Sequence, residues 1–174
     1  MSLKSVPEHD GKVLLVAEDG VRPAEHMSRS DVDKKVSDFY GGIGGEAFFR
    51  ALATEFYTLV AQDEVLTPLF PVDDWPRQAE RLAGHYLQIY GENDLTAAWD
   101  PHLHQAHSHF LITREQRLRW LALMKKAGER LDAPEPYFTE FMTIMKIASG
   151  EMMAVSRGAA IARGKRFHWD GTPK

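Results

Sequence analysis

The chain has 174 residues and a mass of 19.7 kDa, which suits one domain of ordinary size better than two. Hydrophobic residues make up 44% and charged residues 26%, so wholesale disorder is excluded, and a net charge of −4 leaves no basic footprint for nucleic acid or an anionic membrane. Cysteine is absent, which excludes disulfide scaffolds, thiolate metal sites and cysteine nucleophiles.

Residues 1–37 are polar and broken by Pro7, Gly11, Gly20 and Pro23, and they read as a flexible N-terminal extension, with a short ordered strand or a partner-docking segment as the alternative. Its one apolar run, Val13 to Ala17, is closed by Glu18 and Asp19. That run is far short of the roughly 18 residues of a membrane span and of the about 7–15 of a secretory signal core. The expectation is a cytoplasmic protein with no membrane span and no nucleic-acid partner.

Residues 38–157 read as one helical domain. A short helix is predicted near 31–39, and the glycine cluster 41–45 breaks the chain after it. Phe48, Phe49, Leu52, Phe56, Leu59 and Val60 then recur at steps of three and four, predicting a helix over 46–61. Asp63 can cap a short turn, which Thr67-Pro68 ends. Asp73 or Asp74 starts the next helix with Pro76 in its first turn. Trp75, Ala79, Leu82, Tyr86 and Ile89 give that helix an apolar stripe, and it ends near Gly91. Segment 92–112 is irregular and rich in histidine, with a short helix starting at Asp100-Pro101. Thr113 with Gln116 forms a capping box for a helix over 114–131. A last helix over about 136–156 carries Phe138, Phe141, Met145 and Met152, and residues 158–174 read as a loose basic tail. The fold class is all-α.

Histidine is the chemical anomaly. Four of the eight histidines fall within Pro101-His-Leu-His-Gln-Ala-His-Ser-His-Phe110. They suit three settings: an exposed polar loop, a zinc or protein-partner site on a haem-free helical module, or a single imidazole ligand to haem iron facing an apolar cleft. Around them lie apolar candidates for such a cleft, Phe56, Phe70, Leu82, Phe110, Leu111 and Ile112, together with two hydrogen-bond donors, Tyr57 and Trp120.

An ordered set of motifs adds to this. Gly44-Gly-Glu-Ala-Phe-Phe-Arg50 is followed by Glu55-Phe-Tyr57, then Asp63 and Pro68-Leu-Phe-Pro71, then Asp73-Asp74 and Glu80-Arg-Leu82. His107-Ser-His-Phe-Leu-Ile112 comes next, with Trp120 thirteen positions after His107. From about Phe39 to Arg157 the chain resembles the truncated haemoglobins, most closely their group II. The resemblance implies a two-over-two helical sandwich around haem b. By position, His107 matches the iron ligand, and Tyr57 and Trp120 match distal donors. Phe70 matches the aromatic that packs on the haem, and Arg81 a basic partner of a propionate. His104 and His109 fall off register and are left to solvent or the haem edge. Gln78 falls at the distal position, where the family often has a small apolar residue. His85 replaces a bulkier apolar residue and borders the pocket or solvent, with a second axial ligand as its alternative role. A second glycine is missing after Gly91-Glu92-Asn93. The implied partners are dioxygen, nitric oxide or other diatomics, with NO dioxygenase or peroxidase-like turnover as an enzymatic extension. The reading leaves room for a reductase partner, a homodimer, and a sensor in which the N-terminal extension relays ligand state.

Overall fold

The computed structural model describes residues 3–7, 13–17, 28–70 and 74–166. The expected start at Asp73, the Pro71 of the motif set and the last eight residues of the tail lie outside these segments. Two strands, β1 (Leu3–Pro7) and β2 (Val13–Ala17), pair antiparallel with Leu3 opposite Ala17 and Pro7 opposite Val13. Six α-helices follow: α1 (Arg29–Ile43), α2 (Gly45–Val60), α3 (Trp75–Tyr86), α4 (Pro101–Ser108), α5 (Arg114–Arg130) and α6 (Tyr137–Ala162).

Helix α1 is longer than predicted at both ends. Ser28 and Asp31 form a capping box at its start, and it runs through Gly41 and Gly42 before stopping at Gly44 in the left-handed region, φ 107°. Tertiary packing keeps those two glycines helical. The Tyr137 ring lies where a Gly42 side chain would stand, so only glycine lets α1 approach the start of α6 there. Helix α6 likewise continues past residue 156 to Ala162, so the expected domain limits at 38 and 157 fall inside helices. The Thr113–Gln116 box forms as read, and Asp74 caps α3 by accepting the Arg77 N–H at 3.2 Å.

Helix α3 does not end cleanly. It passes into a π turn, Leu87–Gly91, and Asn93 follows in the left-handed region at φ 54°. Asparagine tolerates that region better than other side chains, and here its Nδ2 also donates to Asp33 of α1 at 2.9 Å.

Helices α2 and α3 pack as one pair and α5 and α6 as the other, and the pairs meet through α2 and α5. This is the expected two-over-two sandwich. Its core holds fully buried Phe49, Leu52, Phe56, Met124 and Phe141. Burial of each such side chain contributes about 1.5–3 kcal/mol, so the sandwich is held chiefly by its aromatic and aliphatic interior. Helix α4 packs on α6, and against α3 slightly at most. The space between α3 and α4 is where the sequence-predicted residues converge.

Candidate functional site

Asp100 starts α4 by accepting the His102 N–H at 2.9 Å, with Pro101 at the first helical position. One turn later the His107 Nδ1 lies 2.8 Å from the Leu103 carbonyl oxygen. A carbonyl can only accept, so Nδ1 carries the proton and Nε2 is left with a free lone pair. That is the tautomer in which an imidazole binds a metal, with its ring orientation fixed by the backbone. The adjacent Ser108 hydroxyl is not its partner, since it donates to Gln105 O at 2.7 Å.

The other histidines of the cluster diverge. His102 and His109 are exposed, whereas His104 is half-buried and interacts with Glu151 of α6. His104 thus lies on the side of α4 that packs on α6. Burial raises the Glu151 carboxyl above its ordinary range, and the His104 imidazole opposes that shift. Among the described residues no three His, Asp or Glu side chains gather as a metal site, so a zinc centre built on residues 102–109 lacks its ligand set.

Beyond α4 the chain turns at Phe110, whose ring centroid is 6.1 Å from that of His107. Ser156 of α6 is fully buried there. Its hydroxyl accepts the Ile112 N–H and donates to the Phe110 carbonyl, both at 2.7 Å, and so fixes the backbone that leads away from His107.

On α3, Gln78, Leu82 and His85 lie at helical steps of four and three and share one face. All three are half-buried. His85 has an electrostatic interaction with His107, which brings α3 and α4 to the same space; burial holds its pKa below the ordinary imidazole value, Asp100 opposes, and His107 adds to the lowering. The Gln78 backbone N–H donates to Asp74 O at 3.1 Å, while its side chain makes no hydrogen bond among the described residues. Arg81 is exposed, makes no ion pair among the described residues, and acts electrostatically on Tyr57.

The remaining predicted residues form a wall of rings. Tyr57 meets Phe56 edge-on at 5.1 Å and Phe70 at 5.6 Å, and Phe56 meets Trp120 at 5.3 Å. Such pairs add about 0.5–1.5 kcal/mol each beyond simple burial. Phe56 belongs to the fully buried core, while Phe70 and Trp120 are half-buried at its margin. Burial pushes the Tyr57 phenol up to about 12, with Arg81 opposing. Neither the Tyr57 hydroxyl nor the Trp120 indole N–H has a hydrogen-bond partner among the described residues. Trp120 is carried on α5, whose neighbouring Arg119 pairs with buried Asp63 at 2.9 Å. Asp63 also caps the turn after α2, accepting Val65 and Leu66 N–H groups at 3.1 and 3.0 Å.

Four contributors were not read from the sequence as parts of a site: Leu103 by its carbonyl, Ser156, Arg119 and Trp75. Trp75 continues the ring wall, 6.3 Å from Tyr57 in a near-parallel stack and 5.5 Å from Phe70. An aromatic just after a helix cap is a weak cue, and a buried serine on a long helix gives none.

A family model for bacterial-like globins matches residues 38–154. Among solved structures, a thermostable hemoglobin from the actinobacterium Thermobifida fusca is 32% identical, with a TM-score of 0.59 over 66% of this chain and 95% of that one. A hemoglobin from the thermophilic phototrophic bacterium Chloroflexus aurantiacus is 31% identical, with a TM-score of 0.57 over 66% and 96%. The group II truncated hemoglobin from Bacillus anthracis is 25% identical, with a TM-score of 0.58 over 66% and 94%.

Proposed function

The chain belongs to the bacterial-like globin family, and from that premise we propose that it is a group II truncated haemoglobin holding haem b between α3 and α4. The residues present suit that group on three counts: the free Nε2 of His107 and, among the described residues, two donors without protein partners and a guanidinium at Arg81 that makes no ion pair. When bound, the haem supplies an iron site for dioxygen, nitric oxide or another diatomic, with NO dioxygenation or peroxide reduction as the redox chemistry open to it.

In this reading His107 would hold the iron through Nε2, and the Leu103 carbonyl keeps the ring from turning. Phe56, Phe70, Leu82, Phe110 and Ile112 form the apolar walls that exclude water. Arg81 pairs with a propionate. Tyr57, Trp120 and Gln78 would offer hydrogen-bond donors to a bound diatomic. Trp120 can only donate, whereas Tyr57 and Gln78 donate or accept. A hydrogen bond to a group carrying charge contributes about 1.5–3 kcal/mol, and each 1.4 kcal/mol is tenfold in equilibrium. Two such donors slow the release of a polarised diatomic strongly, which favours tight binding or redox turnover over bulk oxygen delivery.

The observation that carries this reading is the His107–Leu103 hydrogen bond, because it selects the tautomer a metal needs. The test is a visible spectrum of the purified protein in ferric, ferrous and CO-bound forms. Haem bands that shift on reduction and again with CO support the reading. A colourless protein that takes up no added haemin would contradict it.

A further inference from the structure

Helix α5 carries a guanidinium on either side of Trp120. Successive residues of an α-helix are turned by about 100°, so Arg117 and Arg119 stand roughly 160° apart, with Trp120 on the arc between them. Arg117 grips α6: its Nε donates to the Ser149 hydroxyl at 3.1 Å and its Nη2 to the Lys146 carbonyl at 2.7 Å. Arg119 grips the turn after α2, where its Nε lies 2.9 Å from one oxygen of the buried Asp63 carboxylate. The other carboxylate oxygen accepts the Val65 and Leu66 N–H groups. The Asp63 carbonyl accepts the Thr67 N–H at 3.0 Å, and the Thr67 carbonyl accepts the Phe70 N–H at 3.1 Å. One residue therefore ties α5 to the segment that delivers Phe70. Trp120 itself has a ring contact with Phe56 but no polar partner among the described residues, so the direction of its N–H follows the roll of α5.

We propose that Arg119 and Asp63 are a positioning pair for Trp120, and that their ion pair sets how fast a bound diatomic leaves. The proposal rests on the haem reading above and deepens it by naming what aims the donor. Side chains reach about 5–6 Å from a helix axis, so a roll of about 10° moves the indole N–H by about 1 Å. N–H···O hydrogen bonds span only about 2.7–3.2 Å, so that displacement is enough to lose one. Arg117 alone lets α5 pivot on α6, and the grip of Arg119 on Asp63 removes that freedom. Stability is not the pair's main contribution. Arg119 is half exposed, where an ion pair adds little, and Asp63 keeps its two backbone N–H partners when Arg119 is cut back. A second ion pair, Arg130 with Glu55 at 2.6 Å, also joins α5 to α2, but nearly three turns beyond Trp120. It supplies the comparison.

The experiment uses the full haem-loaded chain and reads two quantities, the dioxygen dissociation rate and the C–O stretch of the CO form, which reports donors near the ligand. Arg119→Ala is expected to speed dissociation about tenfold, the loss of one charge-assisted hydrogen bond, and to shift that stretch upward. Arg119→Lys keeps a cation for Asp63 and is expected to restore most of both. Arg130→Ala breaks the remote pair and is expected to change neither. In a Trp120→Phe background Arg119→Ala is expected to add nothing, because the donor it aims is already gone. Wild-type rate and stretch in Arg119→Ala, or an equal rise in rate in the Trp120→Phe background, would overturn the positioning role while leaving the haem reading intact. The same rise in Arg130→Ala would overturn it too, as a general loosening of α5. Absence of haem bands in the wild-type protein would instead overturn the reading on which it rests.

Discussion

Ser156 donates its hydroxyl proton to the Phe110 carbonyl at 2.7 Å, and so α6 holds the segment that leads away from His107. The same oxygen accepts the Ile112 N–H at 2.7 Å, so one buried hydroxyl satisfies two backbone groups. Ser156→Ala leaves a donor and an acceptor without partners, and each costs about 1–3 kcal/mol when buried. Expected outcomes are a clear loss of unfolding free energy in urea and faster haem transfer to apomyoglobin. Wild-type values on both measures would remove Ser156 from the site's support.

Trp120 contributes a donor but no acceptor. Trp120→Phe keeps the ring contact with Phe56, 5.3 Å away, while removing the N–H. The dioxygen dissociation rate, measured by stopped flow against CO, is expected to rise at least several-fold, the effect of one charge-assisted hydrogen bond of about 1.5–3 kcal/mol. An unchanged off-rate would take Trp120 out of the ligand's reach.

Tyr57 makes a prediction about pH. Burial raises its folded pKa to about 12, with Arg81 opposing, from the ordinary value of 10.0 that an unfolded tyrosine keeps. Below pH 10 both states hold the proton and the stability is fully present. Above it the unfolded chain loses a proton that the folded chain keeps, so stability falls as pH rises toward 12 and then levels. Burial shifts Tyr86 and Tyr90 in the same direction. A spectrophotometric titration near 295 nm is expected to show late-ionising tyrosines, one fewer of them in Tyr57→Phe.

Gly128 of α5 lies against Phe138, whose ring occupies the space a methyl group would need. Gly128→Ala is expected to cost about 1–3 kcal/mol through overpacking, despite the better helix propensity of alanine. For a chain of this length that is a fall in Tm of about 2–4 °C per kcal/mol. Calorimetry that finds Gly128→Ala more stable than the wild-type protein would show that α5 and α6 can part at no cost.

Local rules made much of this fold legible. Asp74, Asp100 and the Thr113–Gln116 pair start α3, α4 and α5 where capping chemistry places them. The three-and-four spacing of apolar residues predicted α2 and the face of α3 that enters the core. What the sequence did not disclose depends on contacts distant along the chain. Gly41 and Gly42 read as breakers, but Tyr137 packed against Gly42 keeps the helix going. The π turn at Leu87–Gly91 has no composition of its own. His104 and His107 are three residues apart on one short helix, and only the tertiary structure sends the first toward Glu151 and ties the second to Leu103 O. The resemblance singled out His107, and the hydrogen bond supplies the chemical reason.

The most direct measurement is haem retention, with resonance Raman of the ferrous protein, across His107→Gly, His104→Ala and His85→Leu. The expected result is loss of stable haem and of the iron–histidine stretch in His107→Gly alone, with the haem bands restored by added imidazole. A His107→Gly variant that keeps that stretch unaided, or a His104→Ala variant that loses it, would contradict His107 as the ligand.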